Sequence, residues 1–121
     1  MNTEFERISL PLEYPFTIAR GTQKTAENII VKIEDEGGTV GIGGAAPSSY
    51  YGETIETVEA VLPSLLQEVE QIDDINNLGK IEQNLFTTVR DNPAARCAVS
   101  IACHDLVAKR LGLPLYRYWG L

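Results

Sequence analysis

Histidine and tryptophan each occur once in these 121 residues, and cysteine twice. With His104 alone, no second histidine exists to complete a metal set. Cys97 and Cys103 stand six apart in one predicted helix, about 120° from sharing a face, so they cannot pair there. They read instead as two buried free thiols. Basic residues are also scarce: 10 Lys and Arg face 17 Asp and Glu, a net charge of −7. That balance argues against nucleic acid or an anionic membrane as a partner. No stretch approaches the roughly 18 apolar residues of a membrane span. The acidic start, Met1 to Glu6, lacks the apolar region of a signal peptide. The expectation is a soluble, cytoplasmic chain without internal repeats, linkers or low-complexity stretches.

What is present suits one domain with a real core, since 44% of residues are apolar and 22% charged. Ile8, Leu10 and Leu12 alternate with polar positions as a half-buried strand ended by Glu13-Tyr14-Pro15. Asn28 to Glu34 is β-branched and reads as a second strand. Asp35-Glu36-Gly37-Gly38 is turn chemistry, and Thr39 to Gly43 returns as the third. Two irregular loops are expected, Thr17 to Glu27 and Ala46 to Gly52.

From Thr54 the period becomes helical, with Ile55, Val58, Val61, Leu62, Leu65 and Val69 in one stripe that Pro63 should kink. Asp73 or Asp74 caps a second helix that turns Leu78, Ile81, Leu85 and Val89 inward, with Gly79 weakening its first turn. Asn92 caps a third, with Pro93 in its first turn. This helix, Ala94 to Leu111, is apolar almost all round until Ser100 and His104, and reads as buried between the sheet and its neighbours. Gly112 and Pro114 end it. The predicted fold class is α+β, a three-stranded antiparallel meander followed by a three-helix bundle.

Few constellations suggest chemistry. Gly41 to Ala46 matches the dinucleotide fingerprint formally, but it lies in an antiparallel meander and opens no helix, so close backbone packing is favoured. Asp105 precedes Lys109 by one turn, which reads as a surface ion pair. Nothing marks a nucleophile elbow for a Ser-His-Asp triad. Arg20, beside Gly21 in the first loop, has the chemistry of a bidentate carboxylate clamp. An ordinary solvated arginine stands equally open. Tyr50 and Tyr51 in the second loop suit a contact role or simply cover the sheet end, with Gly52 as a hinge. The closing Tyr116 to Leu121 places aromatic surface where a partner outside the chain would meet it.

The order Pro15 to Thr22, Asn28 to Ile33, Gly41 to Pro47 and Tyr51 to Thr54, then Ala94 to Lys109 with Gly112 to Tyr116, resembles the N-terminal capping domain of the enolase superfamily. It is most similar to the muconate-lactonizing subgroup and, within that, to the dipeptide epimerases of the L-Ala-D/L-Glu type. The resemblance covers the whole chain, residues 1–121. It implies an isomerase whose catalytic (β/α)₇β barrel, absent from this chain, follows Leu121. The barrel would carry two lysine bases and three carboxylates holding Mg²⁺, and an enediolate would form as the proton α to a carboxylate is removed. This chain alone would be inactive, with no catalytic or metal-binding residue of its own. Its two loops would close over the barrel mouth and shape specificity through Ile18, Arg20, Thr22, Tyr50 and Tyr51. The implied partners are the barrel and a dipeptide or other small carboxylate, with a homo-oligomer left open.

Gly44 stands where the family usually has Glu, and Ser100 where it favours an acid. Both read as charges removed near the domain core. The alternatives are the capping domain of a muconate cycloisomerase or o-succinylbenzoate synthase, or a non-catalytic interaction module.

Overall fold

A computed structural model describes residues 1–18 and 21–121, with the side chains of Phe16, Ile18 and Gln23 left aside. Three strands, β1 (Asn2–Ile18), β2 (Gly21–Glu34) and β3 (Val40–Ala45), form an antiparallel sheet in the order β1-β2-β3. Helices α1 (Ile55–Glu70), α2 (Leu78–Thr88) and α3 (Pro93–Arg110) follow, then a one-turn α4 (Leu115–Tyr118). The α+β meander and three-helix architecture is therefore as expected. No helix among the described residues is long and apolar enough to cross a membrane.

The sheet has one covered face. Ile29, Val31 and Ile33 of β2 are fully buried and form the core with Val58, Leu62, Leu65, Val69 and Leu106 of the helices. Their β1 partners are Arg7, Phe5 and Thr3, and residues directly opposite share a face. Arg7 donates its Nε–H to Glu59 of α1 at 2.8 Å, and the Thr3 hydroxyl donates to Glu70. The alternation of Ile8 and Leu10 is thus real but turned to the open face, where Leu10 is 48% exposed.

The first expected loop is largely strand. β1 continues past Pro15, and pairing resumes at Phe16↔Gln23 after a register shift that follows Pro11↔Thr25. Leu12 to Pro15 thus stand opposite Lys24 alone, a bulge that absorbs a proline lacking the ladder N–H. The β2 side of this ribbon, residues 21–27, lies beyond the reach of β3; none of its described side chains belongs to the core, and its sequence carries no apolar alternation, so it reads as loop.

α3 lies directly on β3 because both are small there. A Cβ at Gly41 would come within 2.1 Å of the Ala102 carbonyl oxygen, and one at Gly43 within 1.9 Å of the Ala98 oxygen. The glycine pattern serves this close backbone approach. Asp105 and Lys109 do pair, at 2.7 Å, but they also close the free edge of β3. Asp105 Oδ2 accepts from the Ile42 N–H at 2.9 Å, and Lys109 Nζ donates to the Val40 carbonyl at 2.8 Å. Edge groups left bare are a template for unwanted pairing, and here one helix satisfies two of them.

α3 is not buried all round: Ala95, Ala98, Val99, Ala102, Cys103, Leu106, Val107 and Ala108 are inside, while Cys97, Lys109 and Arg110 are exposed. Cys97 is therefore a surface thiol, contrary to expectation, because its position on the helix falls outside that stripe. Burial pushes the Cys103 thiol up to about 12, so it is inert at neutral pH. Gly112 ends α3 in a left-handed conformation, with the Leu113 N–H reaching the Ala108 carbonyl at 3.0 Å.

Two caps differ from expectation. Asn77, not Asp73 or Asp74, caps α2 by accepting from the Lys80 N–H at 3.2 Å; Asp74 instead accepts from Asn76. Asn92 adopts a left-handed backbone and gives α3 no side-chain cap. α1 runs unbroken across Pro63, its start closed by a capping box of Thr54 and Thr57.

Candidate functional site

The residues expected to shape specificity sit on the hairpin tip and the turn after β3. The hairpin ladder runs as far as Ile18↔Gly21; Ala19 and Arg20, between them in the chain, lie outside the described residues. Thr22 is exposed, and its hydroxyl lies 3.1 Å from that of Thr17 across the ladder. This cross-strand threonine pair stiffens the ribbon just below its tip.

Tyr50 and Tyr51 belong to a 3₁₀ turn, Ser49–Tyr51. They are 61% and 73% exposed, with their rings edge to face at 5.0 Å. Two exposed aromatic rings are therefore presented by backbone of fixed shape. The Tyr51 and Glu53 N–H groups both donate to the Ser48 carbonyl, at 3.0 and 3.2 Å, and Gly52 adopts a left-handed φ of 77°. Gly52 thus reverses the chain at the end of the turn, a conformation that suits glycine.

Below this turn lies a residue that sequence reasoning missed. Glu53 is 5% exposed, and its carboxylate accepts from the Ala94 N–H at 3.0 Å. It satisfies the first turn of α3 in place of Asn92, and a negative charge there also suits the helix dipole. The tyrosine turn is thereby anchored to the longest helix. In the sequence Glu53 figures only within the stretch Tyr51 to Thr54, since its partner is 41 residues away. Replacing Glu53 with alanine is expected to cost about 2 kcal/mol, with glutamine recovering part of it through its amide oxygen. Urea denaturation measures this, and wild-type stability in both variants would remove the anchor from the account.

The two departures from family pattern are not charges taken out of the core. Gly44 is exposed, and a Cβ there would meet Ile30 Cδ1 at 3.8 Å. Ser100 is half-buried and donates to the carboxylate of Glu82 on α2, which supplies an acid at that place. Among the described residues no group of three His, Cys, Asp or Glu side chains is arranged to hold a metal ion.

Residues 3–120 match the family described as the mandelate racemase/muconate lactonizing enzyme N-terminal domain. The chain is 39% identical over 121 residues to an L-Ala-D/L-Glu epimerase of Bacteroides thetaiotaomicron, covering 100% of this chain and 31% of that protein. It is 41% identical over 112 residues to an L-Lys-D/L-Arg epimerase of Desulforapulum autotrophicum, covering 92% of this chain and 32% of the relative. A dipeptide epimerase of Enterococcus faecalis, solved with Mg and L-Leu-L-Tyr, superposes with a TM-score of 0.90 at 33% identity, covering 98% of this chain and 33% of that one. The chain thus spans about a third of the length of the relatives it matches. The meander, the bundle and the whole-length matches together place this chain in the mandelate racemase/muconate lactonizing enzyme N-terminal domain family of the enolase superfamily.

Proposed function

We propose that this chain is the capping and specificity domain of a Mg²⁺-dependent dipeptide epimerase, an isomerase that exchanges the proton α to a carboxylate. The observation that carries the reading is the likeness to dipeptide epimerases along the entire chain, extending to the folded framework. In this reading the remaining part of the enzyme is a (β/α)₇β barrel that holds Mg²⁺ and the bases. Among the described residues no group of three His, Cys, Asp or Glu side chains is arranged to hold that ion. The chain's own part is to shape the space above the substrate with the hairpin tip, Ile18, Arg20 and Thr22, and with the Tyr50-Tyr51 turn. By itself it catalyses nothing. The compartment that fits such an enzyme is the cytoplasm.

The relatives act on dipeptides of opposite charge, Ala-Glu in one case and Lys-Arg in the other. Arg20 favours the acidic class, because a guanidinium pairs with a side-chain carboxylate in a bidentate fork. In the chain joined to a barrel, Arg20→Ala is expected to lower kcat/KM for L-Ala-L-Glu by roughly 10- to 100-fold, the loss of one charged hydrogen-bonded contact. Activity on an uncharged dipeptide should change little. Kinetics unaltered for every dipeptide tested would remove Arg20 from substrate recognition.

A further inference from the structure

Away from the loops, four side chains from three elements meet at the outer side of α3. Trp119, the C-cap of α4, donates its indole Nε1–H to His104 Nδ1 at 3.1 Å, with the rings 5.6 Å apart and inclined by 66°. On the other side, His104 Nε2 lies 3.3 Å from Glu82 Oε1, and Ser100, one turn earlier on α3, donates to that same oxygen. The sheet sets no hydrogen-bonding or ion-pairing group against His104 among the described residues.

This arrangement holds only one form of the imidazole. Nδ1 can accept the indole proton only when it carries none itself, so the ring is neutral with its proton on Nε2, the nitrogen 3.3 Å from Glu82 Oε1. A second proton turns Nδ1 into a donor facing another donor. Turning the ring over restores nothing, because both nitrogens then carry hydrogen. The Glu82 contact strengthens into an ion pair at the same moment, so the charged ring stays with α2. Trp119 is 48% exposed, and its N–H finds water at little cost once released.

We infer that His104 is a proton-operated latch, which holds the α4 segment on α3 when neutral and releases it when charged. What it holds is well defined. α4 ends in a closed turn, with the Leu121 N–H on the Tyr116 carbonyl at 2.9 Å and Gly120 at a φ of 75°. Tyr118 adds partly buried surface against the core. The latch therefore governs the seating of residues 115–121 as a unit, while the hydrogen bonds of α2 and α3 are untouched.

The chain suits a direct test, having one tryptophan and one histidine. In the 121-residue chain labelled with ¹⁵N, a single indole N–H resonance and a single set of imidazole resonances are followed from about pH 8 to pH 5, the window in which imidazoles change charge. The indole signal is expected to lose its hydrogen-bonded downfield position in step with the His104 ring, while far-UV circular dichroism stays constant. His104→Gln should abolish the pH-linked movement. Trp119→Phe, which removes the donor, should leave residues 115–121 without the latch at every pH, so that their backbone amide signals no longer move between pH 8 and pH 5. Glu82→Gln should keep the two signals in step. An indole signal that stays put while His104 titrates, or moves equally in His104→Gln, overturns the latch. Should His104→Gln not fold, backbone amides of residues 115–121 that still follow pH in Trp119→Phe do so by themselves.

Discussion

Gly43→Ala is expected to cost the domain about 3 kcal/mol or more, a large share of the roughly 5–15 kcal/mol that holds a domain together. The added Cβ would lie 1.9 Å from the Ala98 carbonyl oxygen and 2.9 Å from the Ala102 nitrogen. Both are backbone atoms of α3, so no rotamer change makes room. Relief requires α3 to lift from β3, which opens the contacts of Ala98, Ala102 and Leu106 with the sheet and draws Asp105 from the Ile42 N–H. Gly44→Ala is the control one residue away. There the nearest side-chain atom is Ile30 Cδ1 at 3.8 Å, an ordinary contact, so stability should change by less than about 1 kcal/mol. Urea unfolding of both variants separates a steric demand at one position from a general dislike of alanine in β3. Equal and small effects would mean that α3 does not sit on the strand as described.

The elements that bury a stripe were legible in the sequence. α1 and α2 follow from Ile55, Val58, Leu62, Leu65 and Val69 and from Ile81 and Leu85, all of which are inside. β2 was clear because Ile29, Val31 and Ile33 face helices. The β2 side of the outer ribbon, residues 21–27, was not, since none of its described side chains belongs to the core and the period-two signal arises from burial on one side. Ile8 and Leu10 misled for the opposite reason, being an apolar alternation on the open face.

Residues whose meaning depends on a distant partner stayed hidden. Asn92 has the right type for a cap, but the Glu53 carboxylate reaches the Ala94 N–H first. Asp105 and Lys109 were readable as a helical pair, whereas their bonds to Ile42 and Val40 depend on how α3 lies along β3. Cys97 and Cys103 differ in burial only because α3 has an outer side. At the candidate site, the exposure of Tyr50 and Tyr51 agrees with the loop reading, while their anchorage through Glu53 came from the fold alone.

The second large effect concerns activity. If this domain shapes the substrate space and the bases and metal lie elsewhere, the 121-residue chain should incorporate no solvent deuterium into a dipeptide, whatever the Mg²⁺ supplied. Proton exchange at an α carbon needs a base held against it and charge stabilisation for the carbanionic product, and both must be present together. The decisive measurement joins this chain, after Leu121, to the remainder of the Bacteroides relative and follows L-Ala-L-Glu in D₂O with Mg²⁺ by mass spectrometry. The expected result is one deuterium at the glutamate α carbon with formation of the D-epimer, at about 1 s⁻¹ or faster, and none with the chain alone. A folded chimera that leaves every dipeptide unchanged, or turnover by the chain alone, would contradict the account.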